Sequence, residues 1–129
     1  MSELELARQL IERFIHAVND RDAPKAQACI AEGGRLVFPG PTVFTQVSDF
    51  LEWSGPRYER AVYVYGPMEL VTGSDRTVVY AHGEVSGAFA DGVKFEGVRY
   101  VDRFEIANGL IVSKEVWSDM GDRLRKLGR

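Results

Sequence analysis

A chain of 129 residues can bury one hydrophobic core and is short for two, so residues 1–129 are expected to form a single domain. Its composition, 45% hydrophobic and 27% charged with 13 Gly and 5 Pro, excludes disordered, collagen-like and coiled-coil classes. Lys and Arg number 16 against 19 Asp and Glu, and the net charge of −3 offers no field for nucleic acid or an acidic membrane.

Leu4, Ala7, Ile11, Phe14 and Val18 recur at helical spacing opposite Gln9, Glu12, Arg13, His16 and Asp20, which predicts an amphipathic first helix. The charges among its leucines do not suit a signal peptide, and no apolar run approaches the roughly 20 residues that cross a bilayer. A shorter second helix is expected from near Pro24 to a stop at Gly33-Gly34. The lone Cys29 can form neither an internal disulfide nor a zinc cluster, which suits a reducing compartment, so a soluble cytoplasmic protein is expected. Residues 36–38 read as strand, broken by Pro39-Gly40-Pro41. Thr45 then caps a short helix carrying Val47, Phe50, Leu51 and Trp53 up to Gly55-Pro56. From Tyr58 onward, β-rich segments alternate with turn signals at Ser74-Asp75, Asp91-Gly92 and Asn108-Gly109, predicting three consecutive hairpins. The basic end, with Arg123, Arg125, Lys126 and Arg129, reads as a solvated tail. Helices first and an antiparallel meander afterwards predict an α+β fold, with the helices covering one face of a curved sheet.

Two-residue turns fix register, and register decides which side chains share a face. Asn108-Gly109 pairs Phe104 with Ser113, Asp102 with Glu115, Tyr100 with Trp117 and Val98 with Asp119 on the less charged, interior face. Arg99, Val101, Arg103, Lys114 and Val116 fall on the outer face. The other two turns add Val79, Ala81, Gly83 and Val85, then Leu70, Met68, Gly66 and Val64, to the interior. The predicted neighbours Gly66 and Gly83 leave space for a pocket bounded by Asp102, Tyr100, Trp117 and Met68.

Asp102 is the most informative residue, because a carboxylate facing an apolar interior must be paired, hydrogen-bonded or protonated. A carboxyl so raised can donate a hydrogen bond to a carbonyl or move a proton near neutral pH. Glu115 opposite would couple to it, and Asp119 at the end of the same face could serve as a base across the cavity. His82 falls on the outer face beside Val101, and His16 lies on the polar side of the first helix. No catalytic triad or metal-ligand spacing is present, and GEVSG at 83–87 lies within a predicted strand, so no cofactor or metal is indicated.

Three segments, LIERFIHAVNDRD, IAEGGRLVFPGP and RYVDRFEIANGLIVSKEVWSD, resemble the nuclear transport factor two-like superfamily, in particular its SnoaL-like and ketosteroid-isomerase-like branches. The resemblance implies a cone of curved antiparallel sheet closed by N-terminal helices around a pocket, and a homodimer built through the outer sheet face. Asp102 in YVDRF matches the raised-pKa acid of ketosteroid isomerase. That family's oxyanion tyrosine is matched here by Phe14 and its general-base aspartate by Phe38, so steroid isomerisation by that route is not expected. Asp119 in VWSD resembles a last-strand acid of polyketide-cyclase and epoxide-hydrolase relatives, although the Arg-x-Asp of the latter is here only His82-Gly83-Glu84.

Two functions remain open. One is a small enzyme moving protons without a cofactor on an apolar carbonyl or cyclic metabolite, as isomerase, cyclase, dehydratase or hydrolase. Its acid and base would be Asp102 with Asp119 or Glu115, and its walls Tyr100, Trp117, Phe14, Phe38, Met68 and Trp53. The other is a non-catalytic dimeric module with an apolar ligand pocket, a reading favoured by Phe14 and Phe38.

Overall fold

A computed structural model describes residues 1–73 and 75–129. Helix α1 (Glu3–Asn19) starts where the Ser2 hydroxyl accepts from the Glu5 N–H at 3.1 Å, with Glu3 and Glu5 placed to complement the free N–H groups of the first turn. Its apolar stripe, including Leu10, Ile11, Phe14 and Ile15, is buried, each large side chain contributing about 1.5–3 kcal/mol. Helix α2 (Ala23–Gln27) is capped by Asp22 and ends before the expected Gly33-Gly34 stop, because the chain has already entered strand β1 (Ile30–Phe38). Strand β2 (Thr42–Phe44), which the proline-rich break concealed, pairs back on β1. Helix α3 (Val47–Ser54) follows; its cap is Gln46, not Thr45.

Strands β3 (Tyr58–Leu70), β4 (Thr77–Phe89), β5 (Lys94–Ala107) and β6 (Leu110–Ser118) form the expected meander. All six strands make one sheet in the order β2-β1-β6-β5-β4-β3, and together with the N-terminal helices they build the α+β cone. The sheet is not wholly antiparallel, since β1 runs parallel to β6. The basic end is a helix, α4 (Met120–Lys126), not a tail; it is exposed, yet Met120 and Leu124 touch an apolar cluster of Val85, Phe89, Phe95, Val98 and Tyr100. The main core lies between α1 and the sheet, around Phe14, Val79, Phe104 and Ile111. No helix among the described residues is long and apolar enough to cross a membrane.

Register decides what the cone contains. Asn108 and Gly109 both have positive φ, as a two-residue hairpin turn requires, and Ala107 pairs with Leu110 as expected. One step further, a bulge at Val112 places Glu105 opposite Ser113, which shifts every later pair by one and exchanges the faces of β6. Lys114, Val116 and Ser118 therefore stand opposite Phe104, Asp102 and Tyr100, and the expected partners Glu115 and Trp117 face outward. The neighbouring strand β1 breaks register at the same level, between Ile30 and Arg35. Gly33 there has a φ of 74°, and a Cβ on Gly34 would stand 2.6 Å from the Ile30 side chain and 3.0 Å from the Ile111 carbonyl oxygen. The double glycine read as a helix stop is thus a bend inside a strand.

A second shift lies in β3. Leu70 and Met68 pair with Val79 and Ala81 as expected, but Gly66-Pro67 forms a bulge, since proline cannot donate to the ladder. Tyr65, not Gly66, then faces Gly83, and Tyr63 replaces Val64 opposite Val85. The expected turn at Ser74-Asp75 includes residue 74 and lies outside the described residues. Between β4 and β5 the pairs Val79/Phe104, Ala81/Asp102, Gly83/Tyr100 and Val85/Val98 stand as expected.

Candidate active site

Asp102 sits on the interior face of β5, between Ala81 on β4 and Val116 on β6, and is 1% exposed. The Tyr65 hydroxyl donates to its Oδ2, and Lys114 Nζ lies 3.5 Å from the same oxygen. Lys114 is itself only 5% exposed, and its ammonium stands 5.0 Å from the centre of the Phe38 ring. The cone therefore holds a lysine and aspartate removed from water together. Burial pushes the Asp102 carboxyl above its ordinary value, and the Lys114 ammonium and the Tyr65 hydrogen bond pull it part of the way back.

Three tyrosines surround this pair. Tyr65 meets Tyr100 edge-on at 5.5 Å between ring centres, and Tyr63 meets Tyr100 at 5.7 Å. Burial first, then the nearby Asp102 charge, holds the Tyr65 and Tyr100 hydroxyls above the usual phenol range, so both stay donors at neutral pH. Gly83 provides the bed for Tyr100: a Cβ there would lie 2.4 Å from the end of the ring. Asn19, the last residue of α1, fixes β3 by accepting from the Tyr63 N–H and donating to the Tyr63 carbonyl, both at 2.9 Å. Two polar atoms in this interior have no hydrogen-bond partner, Tyr100 Oη and Asp102 Oδ1. An unpartnered buried polar atom costs about 1–3 kcal/mol, which a ligand bonding to it would recover.

A cleft of about 1100 Å³ runs along the same strands, its lining including Phe38, Tyr65, Tyr100 and Val116 as well as the Pro39-Gly40-Pro41 loop. Neither Asp102 nor Lys114 is among the lining residues. Much of the lining belongs to the outer sheet face, with Val64, His82, Arg99, Glu115 and Trp117, and Asp119 follows just beyond β6.

The residues expected at the site separate into two groups. Asp102, Tyr100 and Met68 are buried in the cone, and half-buried Phe38 stacks on Phe50 at 4.5 Å in an aromatic cluster that also holds Trp53. Phe14 is in the cone but in the core beneath α1, away from the cleft lining. For Glu115, Trp117 and Asp119 the expected interior position is corrected, although all three line the cleft. The bulge at Val112 turns Glu115 toward Arg35, 4.0 Å away, and leaves Trp117 52% exposed. Asp119 leaves the sheet and accepts from Arg99 Nε at 2.6 Å on the surface. Sequence reasoning missed Lys114, Tyr65 and Tyr63. The signal for the tyrosines was Gly66-Pro67 within a strand; nothing in the Val112-Ser113 pair marks the bulge that turns Lys114 inward. His82 faces outward as expected, 3.9 Å from Glu69. Among the described residues, no group of three or more His, Cys, Asp and Glu could hold a metal ion.

Three solved structures show the same fold over nearly the full chain. An NTF2-like protein of unknown function from Burkholderia pseudomallei K96243 is 18% identical, with 97% of each chain covered and a TM-score of 0.76. A protein provisionally named a polyketide cyclase from Xanthomonas campestris pv. campestris is 14% identical, covering 98% of this chain and 99% of its own, with a TM-score of 0.77. One provisionally named an isomerase from Bacillus subtilis is 17% identical, covering 99% and 96%, with a TM-score of 0.76. No curated protein sequence matches the chain significantly. The family model of the SnoaL-like domain matches residues 11–114, and with the fold in agreement, the chain belongs to the SnoaL-like domain family.

Proposed function

We propose that the chain is a small-molecule enzyme of the isomerase or cyclase type, moving protons without a cofactor on an apolar carbonyl or cyclic ligand. The observation that carries this reading is the pair of unpartnered atoms, Asp102 Oδ1 and Tyr100 Oη, on residues buried two apart on the interior face of β5. Asp102 Oδ1 takes the proton from the carbon beside the carbonyl, and Tyr100 donates to the carbonyl oxygen as charge develops there. A carboxyl raised by burial is a stronger base than an exposed one, which suits this step. Once Asp102 is protonated, it returns the proton to another position of the substrate, which completes an isomerisation. The walls, Phe38, Met68 and Val116 with the Trp53 cluster, exclude water and favour an apolar body. Neighbouring folds named as cyclase and isomerase support the reaction type.

The partner of this proposal is a second copy of the chain, docked through the outer sheet face where Val62, Val64 and Trp117 are exposed. The compartment that suits the lone buried Cys29 is a reducing cytoplasm.

The test is carbon–hydrogen exchange in D2O, followed by NMR across a panel of cyclic ketones. Exchange should be catalysed by the native chain and lost in Asp102→Asn, with the fold retained by circular dichroism. Equal exchange in both proteins would remove Asp102 from the reaction. Ligand retention with no exchange by either would favour the non-catalytic pocket.

A further inference from the structure

The lysine inside the cone neither takes nor gives the proton in the transfer just described, yet its position specifies a ligand. Lys114 and Asp102 are paired at 3.5 Å with side chains 6% and 1% exposed, so each is the other's counter-ion. The ammonium stands 3.5 Å from Asp102 Oδ2, and the Phe38 ring faces the same nitrogen at 5.0 Å. Phe38 is half-buried and lines the cleft, and so does Val116, which stands directly across from Asp102 and two residues from Lys114 on the same face. Displacing the Phe38 ring would bare the ammonium, and the unpartnered Tyr100 hydroxyl belongs to the same interior face, two residues along β5 from the lysine's counter-ion.

We propose that this site selects a ligand with an acidic oxygen, a carboxylic acid, phenol or enol, which binds as the anion to Lys114 and Tyr100 while Asp102 takes up one proton. The argument is charge balance in a space that water does not reach. With Asp102 ionised the interior is neutral. An anionic oxygen beside Lys114 would leave one uncompensated negative charge unless Asp102 is neutralised, and a proton on Asp102 restores the balance. The groups facing Asp102 permit that. β3 presents the hydroxyls of Tyr63 and Tyr65, β5 that of Tyr100, β4 the methyl of Ala81 and β6 Lys114, while α1 buries only apolar side chains against the sheet. Among the described residues no second carboxylate pairs with the ammonium, and the bulge at Val112 turns Glu115 outward. The inference rests on Asp102 as the proton-accepting group: the enolate formed in the proposed reaction is the same kind of anion, and Lys114 exchanges Asp102 for it as counter-ion.

The probes are 2-naphthoate and its neutral amide, 2-naphthamide, titrated calorimetrically into the full chain in two buffers of different ionisation enthalpy. Naphthoate should bind at least tenfold tighter than the amide, take up close to one proton, and weaken roughly tenfold per pH unit as the pH rises above the Asp102 midpoint. Lys114→Met should abolish the preference for the anion, and Lys114→Arg, which keeps the charge if the methionine variant folds poorly, should retain it. Asp102→Asn, already neutral, should bind naphthoate at least as tightly with no proton uptake. Equal affinity for both probes, binding of naphthoate without proton uptake, or binding of neither overturns the inference. None of these readouts needs turnover, so loss of exchange in Asp102→Asn alongside equal probe affinities would reject the anion site and leave the proton-transfer reading standing.

Discussion

Replacing Lys114 by Met removes the ammonium while keeping an unbranched chain of similar length, so little cavity is created. What remains is a carboxyl 1% exposed with Tyr65 as its one donor. Removing one partner of a buried ion pair costs about 3–5 kcal/mol. The variant can avoid an unpaired carboxylate only by keeping Asp102 protonated. At about 1.4 kcal/mol per unit, holding that proton at pH 7 against an unfolded carboxyl of ordinary value 3.8 costs about 4 kcal/mol, and the two routes agree. The sign with pH follows. The folded state binds this proton more tightly than the unfolded chain, so the contribution of Asp102 to stability falls as the pH rises from 3.8 toward its raised folded value. Without Lys114 that value is higher still and the fall continues further. Because the native carboxyl is itself raised and already carries part of that cost, urea unfolding of both proteins should show a deficit of at most about 4 kcal/mol near neutral pH that shrinks to at most about 1 kcal/mol at pH 4.5. Asp102→Asn combined with Lys114→Met, which leaves no buried charge, should recover most of the loss at neutral pH. A deficit of the same size at both pH values would refute the reasoning, since it would reflect lost packing and not an orphaned charge.

Other expectations follow from single contacts. A Cβ on Gly87 would stand 1.9 Å from the Arg60 carbonyl oxygen on the paired strand, where neither backbone can swing aside, so Gly87→Ala should lose about 3 kcal/mol or more in a thermal melt. Asn19→Ala removes both hydrogen bonds tying α1 to Tyr63 and should cost about 1–3 kcal/mol by chemical denaturation. In Gly83→Ala the new methyl meets the Tyr100 ring, which can yield, so naphthoate affinity should fall by a larger factor than the folding equilibrium. Asp119→Asn breaks an exposed ion pair with Arg99 and should leave both unfolding and carbonyl exchange indistinguishable from the native chain.

The parts of the fold that were legible were those set by local chemistry. The 3.6-residue stripe of α1 and the Asn108-Gly109 turn each fix structure within a few residues, and the middle of the β4–β5 pair follows from the meander. Asp102 was legible for the same reason, as a carboxylate on an otherwise apolar face of β5. Bulges were not. Each inserts a single residue and reverses every side chain beyond it, so Val112 exchanged Glu115 and Trp117 for Lys114 and Val116 at the heart of the site. Gly66-Pro67 and Gly33-Gly34 carried recognisable signals of strand distortion, whereas Val112 carried none of its own: its strand lies between β5 and a parallel neighbour that bends at the same level, a constraint visible only in three dimensions. Strand β2 was hidden for a related reason, since three residues after a proline-rich loop form a strand only by pairing with β1.

The central claim is that Asp102 is a buried carboxyl held ready to exchange a proton. Its most direct test is a carbon-13 NMR titration of the Asp102 side-chain carboxyl in the native chain, assigned by comparison with Asp102→Asn. The midpoint should lie above the ordinary 3.8 of an aspartate and move upward again in Lys114→Met. A midpoint at or below 3.8, unchanged by loss of the lysine, would contradict the account.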